Sequence, residues 1–190
     1  SNKSEMTVGY GTLYGDLAGF LAPLADLWKY QVYELAVFLN EFIYCREVIP
    51  RGIIDLVPSA ELSYDQDVNQ GKGDPLVYPY HDFLFQAFVE QWDRPTPEEL
   101  LTWYCEGCLE EKIGCRAGLV EQLFPGSAEF IADLEKWWKL YLGMGVAKRI
   151  QAPPVLAVSK RAYGFDLREA QNPVHFTENY LKLKKINGFI

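Results

Sequence analysis

The chain has 190 residues, 49% hydrophobic and 15% aromatic, which suits one domain with a real core and excludes a disordered chain. Its net charge of −8 makes the surface as a whole repel nucleic acid and anionic membrane, so an anionic small ligand needs its cations gathered in one place. No apolar run is long enough to span a membrane. The start lacks the basic-then-apolar pattern of a secretory signal, and the four cysteines are therefore expected reduced, in the cytoplasm.

Residues 8–23, "VGYGTLYGDLAGFLAP", hold glycine at Gly9, Gly11, Gly15 and Gly19. The spacing misses the dinucleotide fingerprint by one position and lacks the Gly-Lys-Ser/Thr ending of a nucleotide P-loop. The opening through residue 23 is expected to be strand and turn, dominated by loop. "DLWKYQVYELAVFLNE" predicts a helix capped by Asp26, with Val32, Leu35, Ala36 and Leu39 on one face. "IPRGIIDLV" predicts a shorter helix ending before Pro58. Residues 59–80 are polar, without periodicity, and rich in Gly and Pro. A loop of that length is usually functional or disordered.

From His81, "HDFLFQAFVEQW" predicts a helix with an apolar surface that includes Phe83, Phe85, Ala87 and Phe88. "TPEELLTWYCEG" predicts another, with Thr96 as cap, Pro97 at the first position and Glu99 completing a capping box. A helix starting at Ser127 follows, with Glu129 and Asp133 early, Lys136 and Lys139 late, and a buried face of Phe130, Leu134, Trp137, Trp138 and Tyr141. Pro153 and Pro154 exclude a continuous helix through the basic stretch "AKRIQAPPVLAVSKRAYGFD". A last helix over "FTENYLKLKK" is expected to stop at Asn187-Gly188.

Three separated pieces, "NKSEMTVGYGTLYGDLAGFLAPLADLWKYQVYELA", "IPRGIIDLVPSAELSYDQD", and "AKRIQAPP" with "RAYGFDLRE", together resemble the C-terminal part of NAD synthetase. That family belongs to the ATP-pyrophosphatase group of adenine-nucleotide α-hydrolase-like folds. The resemblance implies an α/β, Rossmann-like parent of which these residues are a mainly α-helical portion with few strands. It treats residues 1–190 as the C-terminal portion of one synthetase domain; residues 93–126, which the resemblance does not match, are read as a helical insertion. It implies ATP and Mg²⁺ as cofactors, and deamido-NAD and ammonia as further substrates. The carboxylate of deamido-NAD is adenylated, pyrophosphate leaves, and ammonia displaces AMP. A homodimer is implied too, and a glutaminase domain in the same chain where glutamine is the nitrogen source.

The resemblance assigns roles residue by residue. Glu5 matches the Mg²⁺ carboxylate, Lys29 a lysine on the ATP phosphates, and Ser59 a hydroxyl contacting ATP. Asp16 matches an acid beside deamido-NAD that could take the proton from ammonium, and Lys148 a cation for deamido-NAD. Leu13 replaces a lysine of some ammonia-dependent members, and Ala147 a histidine. The loop after Ser59 resembles the family's mobile cover over the site. The family's Ser-Gly-Gly-x-Asp-Ser loop occurs nowhere in these residues. The expectation is a partial active site that does not turn over alone.

Plainer readings stand beside these. Glu5 and Asp16 could be loop acids, and Ser59 a turn residue. Lys148 and Arg149 could complement a helix C-terminus. A cation near a helix N-terminus is unfavourable, so Lys29 hints at an anion nearby. "CEGCLEEKIGC" gives one CxxC, Cys105 and Cys108, then Cys115, and a zinc site would need a distant fourth ligand such as Cys45, His81 or His175. Buried thiols are the commoner outcome. No Cys-His or Ser-His-Asp arrangement is inferable, and Trp137-Trp138 suits core or interface. The rival functions are a non-catalytic helical interaction module with a relic nucleotide loop, and a related ATP-pyrophosphatase with another acid substrate.

Overall fold

In the computed structural model, the structure describes residues 1–15, 17–56, 58, 74–164 and 175–188. Helix α1, Lys3–Val8, occupies part of the stretch expected as strand and turn. Its cause is local. Asn2 Oδ1 accepts the Glu5 N–H at 3.1 Å, and Glu5 Oε2 accepts the Asn2 N–H at 3.1 Å, a reciprocal capping box. Gly9, at φ 69°, ends the helix in the left-handed region.

Helix α2 runs Lys29–Phe38 and continues through one π turn, Leu39–Ile43. Asp26 does not cap it. The acid is drawn instead to the buried Lys3 ammonium, 2.8 Å away. Helix α3 covers Arg51–Ile54 only. Helix α4, Tyr78–Val89, begins three residues earlier than expected, with Pro79 in its first turn.

Helix α5, Pro97–Cys105, has the expected Thr96–Glu99 capping box. Short helices α6, Leu109–Ile113, and α7, Leu119–Leu123, follow. Helix α8, Ser127–Leu142, buries Phe130, Leu134 and Trp137 completely, as its periodicity requires. Helix α9, Met144–Ile150, stops before the two prolines, and α10, Glu178–Ile186, ends at Asn187-Gly188. Strand pairing among the described residues is one isolated parallel bridge, Ala22 with Val155.

Helices α4 and α8 form the centre of the core. Phe85 and Trp137 meet edge to face at 5.7 Å. Helices α5, α6 and α7 add Leu100, Leu101, Leu109, Ile113, Leu119 and Val120 to the same core. His81 is a core residue. Its Nδ1 accepts the Val77 N–H at 2.8 Å, which leaves the proton on Nε2, 3.2 Å from Asp133. Asp133 in turn accepts the Trp137 indole N–H at 2.8 Å. At the far side, Tyr180 of α10 is fully buried, and Lys184 pairs with Glu135 of α8.

Helix α1 packs on α4, α8 and α9. Its end meets α9 backbone to backbone: a Cβ on Gly9 would lie 2.8 Å from Gly145 Cα. A Cβ on Gly145 would lie 2.7 Å from both Leu140 O and Thr7 O. Neither carbonyl can move aside, so Gly145→Ala is expected to cost more than about 2 kcal/mol in urea unfolding, with an unchanged m-value. Arg149 reinforces this joint. It donates to Thr7 O and, at 3.0 Å, to Tyr141 O, and lies over the Tyr163 ring at 4.6 Å. The first glycine of residues 8–23 therefore serves helix packing, and Arg149 satisfies the orphan carbonyls of α1.

Candidate functional site

A groove of about 620 Å³ opens between α1, α2, α3 and the segment before α4. That is a size suited to a nucleotide-like ligand. Its long wall is aliphatic. Val32, Leu35, Ala36 and Leu39 line it from the expected face of α2, and Ile53 and Ile54 from α3. Its polar end gathers Glu5, Lys29, Tyr33, Asp74 and Tyr78.

Tyr78 organises this end. Its hydroxyl donates to Asp74 Oδ2 at 2.7 Å and lies 3.5 Å from Glu5 Oε1. Burial, the bond to Asp74 and the Glu5 charge hold the phenol protonated far above its ordinary value. The Lys29 ammonium lies over the rings of Tyr78, at 5.2 Å, and Tyr33, at 5.6 Å. Among the described residues Lys29 makes no ion pair with a carboxylate.

Glu5 Oε1 also accepts from Asn2 Nδ2 at 2.8 Å. Each carboxylate oxygen has two acceptor sites, so capacity remains for a cation. Mg²⁺ prefers oxygen ligands and commonly takes only one or two carboxylates, with phosphates and water completing its shell. Glu5, with Asp74 beside it, fits that chemistry.

The backbone under Lys29 is fixed from outside its own helix. The Lys29 N–H donates to Ser4 Oγ of α1 at 3.2 Å, and the Tyr30 N–H donates to Asp82 Oδ2 of α4 at 3.1 Å. Ser4 Oγ donates to Asp82 Oδ1, and both residues are fully buried. Burial pushes the Asp82 carboxyl up to about 6, against the pull of Ser4, the Tyr30 N–H and Lys29. Asp82 thus places one of the protein's own carboxylates at the start of α2, beside Lys29. An acid inside the aromatic run "HDFLF" was the available sign of it.

Lys148, on α9, donates to Gly11 O and so holds the glycine-rich segment. Asp16 and Ser59 lie outside the described residues, as do residues 60–73 of the expected cover. Pro58 and Asp74, which flank that segment, both line the groove. The structure therefore brings Glu5 and Lys29 to one place, with Lys148, on α9, bonded to the neighbouring glycine-rich segment.

The cysteines form no comparable site. All four are free, and Cys45 and Cys105 are exposed. Burial, then the Glu110 charge, pushes the Cys115 thiol up to about 11. Among the described residues no three His, Cys, Asp or Glu side chains stand together as a metal group, and no helix is long and apolar enough to cross a membrane.

A family model described as NAD synthase matches residues 1–102, a stretch that contains Glu5, Lys29, Asp74, Tyr78 and Asp82. The chain belongs to the NAD synthase family. It is 34% identical over 173 residues to the glutamine-dependent NAD(+) synthetase of Xylella fastidiosa, covering 91% of this chain and 26% of that one. It is 32% identical to the enzyme of the same description from Aquifex aeolicus, covering 88% of this chain and 24% of that one. The NH(3)-dependent NAD(+) synthetase of Helicobacter pylori is 46% identical over 80 residues, 42% of this chain and 26% of that one. The chain thus spans about a quarter of the length of the curated relatives it matches. No solved structure gives a significant match.

Proposed function

We propose that this member of the NAD synthase family takes part in the ATP-dependent amidation of deamido-NAD, and that the 190 residues supply the C-terminal portion of the active site. The observation that carries the proposal is the meeting of Glu5 and Lys29, from separate helices, around Tyr78 at the polar end of the groove. In this reading the deamido-NAD carboxylate attacks the α-phosphorus of ATP, and pyrophosphate leaves with its electron pair. Ammonia then attacks the acyl carbon, AMP leaves, and Asp16 takes the surplus proton.

Lys29 places positive charge on the polyphosphate, where charge accumulates as pyrophosphate departs. Glu5, with Asp74, would hold Mg²⁺, which when bound neutralises phosphate charge. Ser59 contacts ATP. Lys148 spends one N–H on Gly11 and has two left for deamido-NAD. The parent fold is α/β and Rossmann-like, its sheet and Ser-Gly-Gly-x-Asp-Ser loop supplied by other parts of the domain, and the working assembly is a homodimer. Residues 93–126 are read as a helical insertion. The relatives that match most of the chain are named glutamine-dependent, which favours ammonia released from glutamine by a glutaminase domain.

Titration calorimetry with deamido-NAD tests the proposal. Saturable binding is expected, weakened about tenfold by Asp16→Ala, since hydrogen bonds to charged groups carry about that much. Binding indifferent to both Asp16→Ala and Lys148→Ala contradicts it and favours an interaction module. The chain alone is expected to give no AMP with ammonia, Mg-ATP and deamido-NAD. Turnover there would overturn the partial-site reading.

A further inference from the structure

We infer that Ser4 and Asp82 form a cap, supplied in trans by α1 and α4, that positions Lys29 against Glu5 for polyphosphate binding. The inference rests on the reading of Lys29 as the phosphate cation. A helix leaves its first N–H groups without intrahelical partners, and a capping side chain just before the helix normally takes one of them. Trp28 precedes α2 and makes no such bond to its first turn. The two N–H groups that follow are taken instead by residues 25 positions back and 52 positions on, Ser4 and Asp82.

This arrangement has two consequences. First, Ser4 is the immediate neighbour of Glu5, and its hydroxyl touches both the Lys29 N–H and the Asp82 carboxylate. One buried cluster therefore sets the backbone spacing between the carboxylate on α1 and the ammonium on α2. Second, the Asp82 charge sits at the positive end of α2, where Lys29 would otherwise meet an unfavourable dipole. Asp82 is not among the residues that line the groove, so it is a positioning residue that acts through Lys29.

The test uses the full chain and Mg-ATP as probe, with dissociation constant and stoichiometry read by titration calorimetry. Asp82→Ala is expected to weaken binding about tenfold with stoichiometry unchanged. Asp82→Asn, whose Oδ1 can accept from Tyr30 and whose Nδ2 can donate to Ser4, is expected to restore affinity to within about threefold. Lys29→Ala combined with Asp82→Ala is expected to lose no more than Lys29→Ala alone, because one residue acts through the other. A purely structural role would lower the stoichiometry, not the affinity, and overturns the inference, as does full additivity of the two losses. If Asp82→Ala does not fold, Ser4→Ala removes the same link and leaves Asp82 bonded to Tyr30. Equal binding by wild type and Lys29→Ala, or no binding at all, overturns both this inference and the reading of Lys29. A loss confined to Lys29→Ala overturns this inference alone.

Discussion

Lys3→Met is expected to destabilise the chain by about 3–5 kcal/mol, the cost of leaving buried charge without its partner. Lys3 is fully buried, and its ammonium spends all three donors: on Asp26 at 2.8 Å, Glu90 at 2.6 Å and Ser159 at 2.8 Å. The Trp28 indole also donates to Glu90, at 3.0 Å. Asp26 continues the network, accepting the N–H groups of Val158, at 2.7 Å, and Ser159, at 2.6 Å. Burial raises the Asp26 carboxyl, but Lys3 and the Ser159 and Val158 donors together hold it below its ordinary value. One side chain thus joins α1, the approach to α2, the end of α4 and the segment after the prolines. A fall in melting temperature of about 10 °C is the corresponding thermal signal for a domain of this size. Adding Asp26→Asn to Lys3→Met is expected to recover part of the loss, because it removes the stranded charge. A shift under about 1 kcal/mol for Lys3→Met would contradict the burial of the pair.

The second large effect is on pH dependence. The Asp82 carboxyl keeps its proton up to about pH 6 in the fold but loses it near its ordinary value, 3.8, when unfolded. Between those values the folded chain binds more protons than the unfolded one, so stability falls as pH rises. The stabilisation from this group is complete below about pH 4 and gone above about pH 6. The difference amounts to about 3 kcal/mol. Lys29 opposes the rise and Glu5 adds to it. Asp26 and Glu135, raised by burial but held lower still by their lysine and hydrogen-bond partners, give the opposite slope, as pH falls below their ordinary values of 3.8 and 4.5. Urea midpoints measured from pH 4 to pH 7 are expected to decline for wild type and to stay level for Asp82→Asn. At pH 7 Asp82→Asn is expected to be at least as stable as wild type, since it buries no charge. An unchanged slope in that variant would locate the titration elsewhere.

The long helices were legible because their signals are local. Thr96 and Glu99 cap α5 as their spacing requires, and Phe130, Leu134, Trp137 and Tyr141 of the expected α8 face are buried, while Trp138 is half-buried and Ile131, not in that face, is fully buried. Helix α1 was not, because six residues give too little period and the glycines after it suggest a loop. Asp26 reads as a cap from its position, yet its partner lies 23 residues away, and a buried lysine outweighs a helix N-terminus. Likewise, nothing in spacing tells that Ser4 and Asp82 replace it. The groove's polar end was legible only through resemblance. Glu5 and Lys29 are 24 positions apart, and it is packing of α1 and α2 around α4 that brings them to Tyr78.

The most direct test of the central claim is whether Mg-ATP sits at the polar end of the groove. Mn²⁺ with ATP, added to isotope-labelled chain, broadens the resonances of residues nearest the ion. Broadening is expected to centre on Glu5, Asp74 and Tyr78, with Lys29 shifting on addition of ATP and all of it lost in Glu5→Gln. Broadening centred elsewhere, for instance on the acidic stretch of α5 and α6, would contradict the assignment of the groove as the nucleotide site.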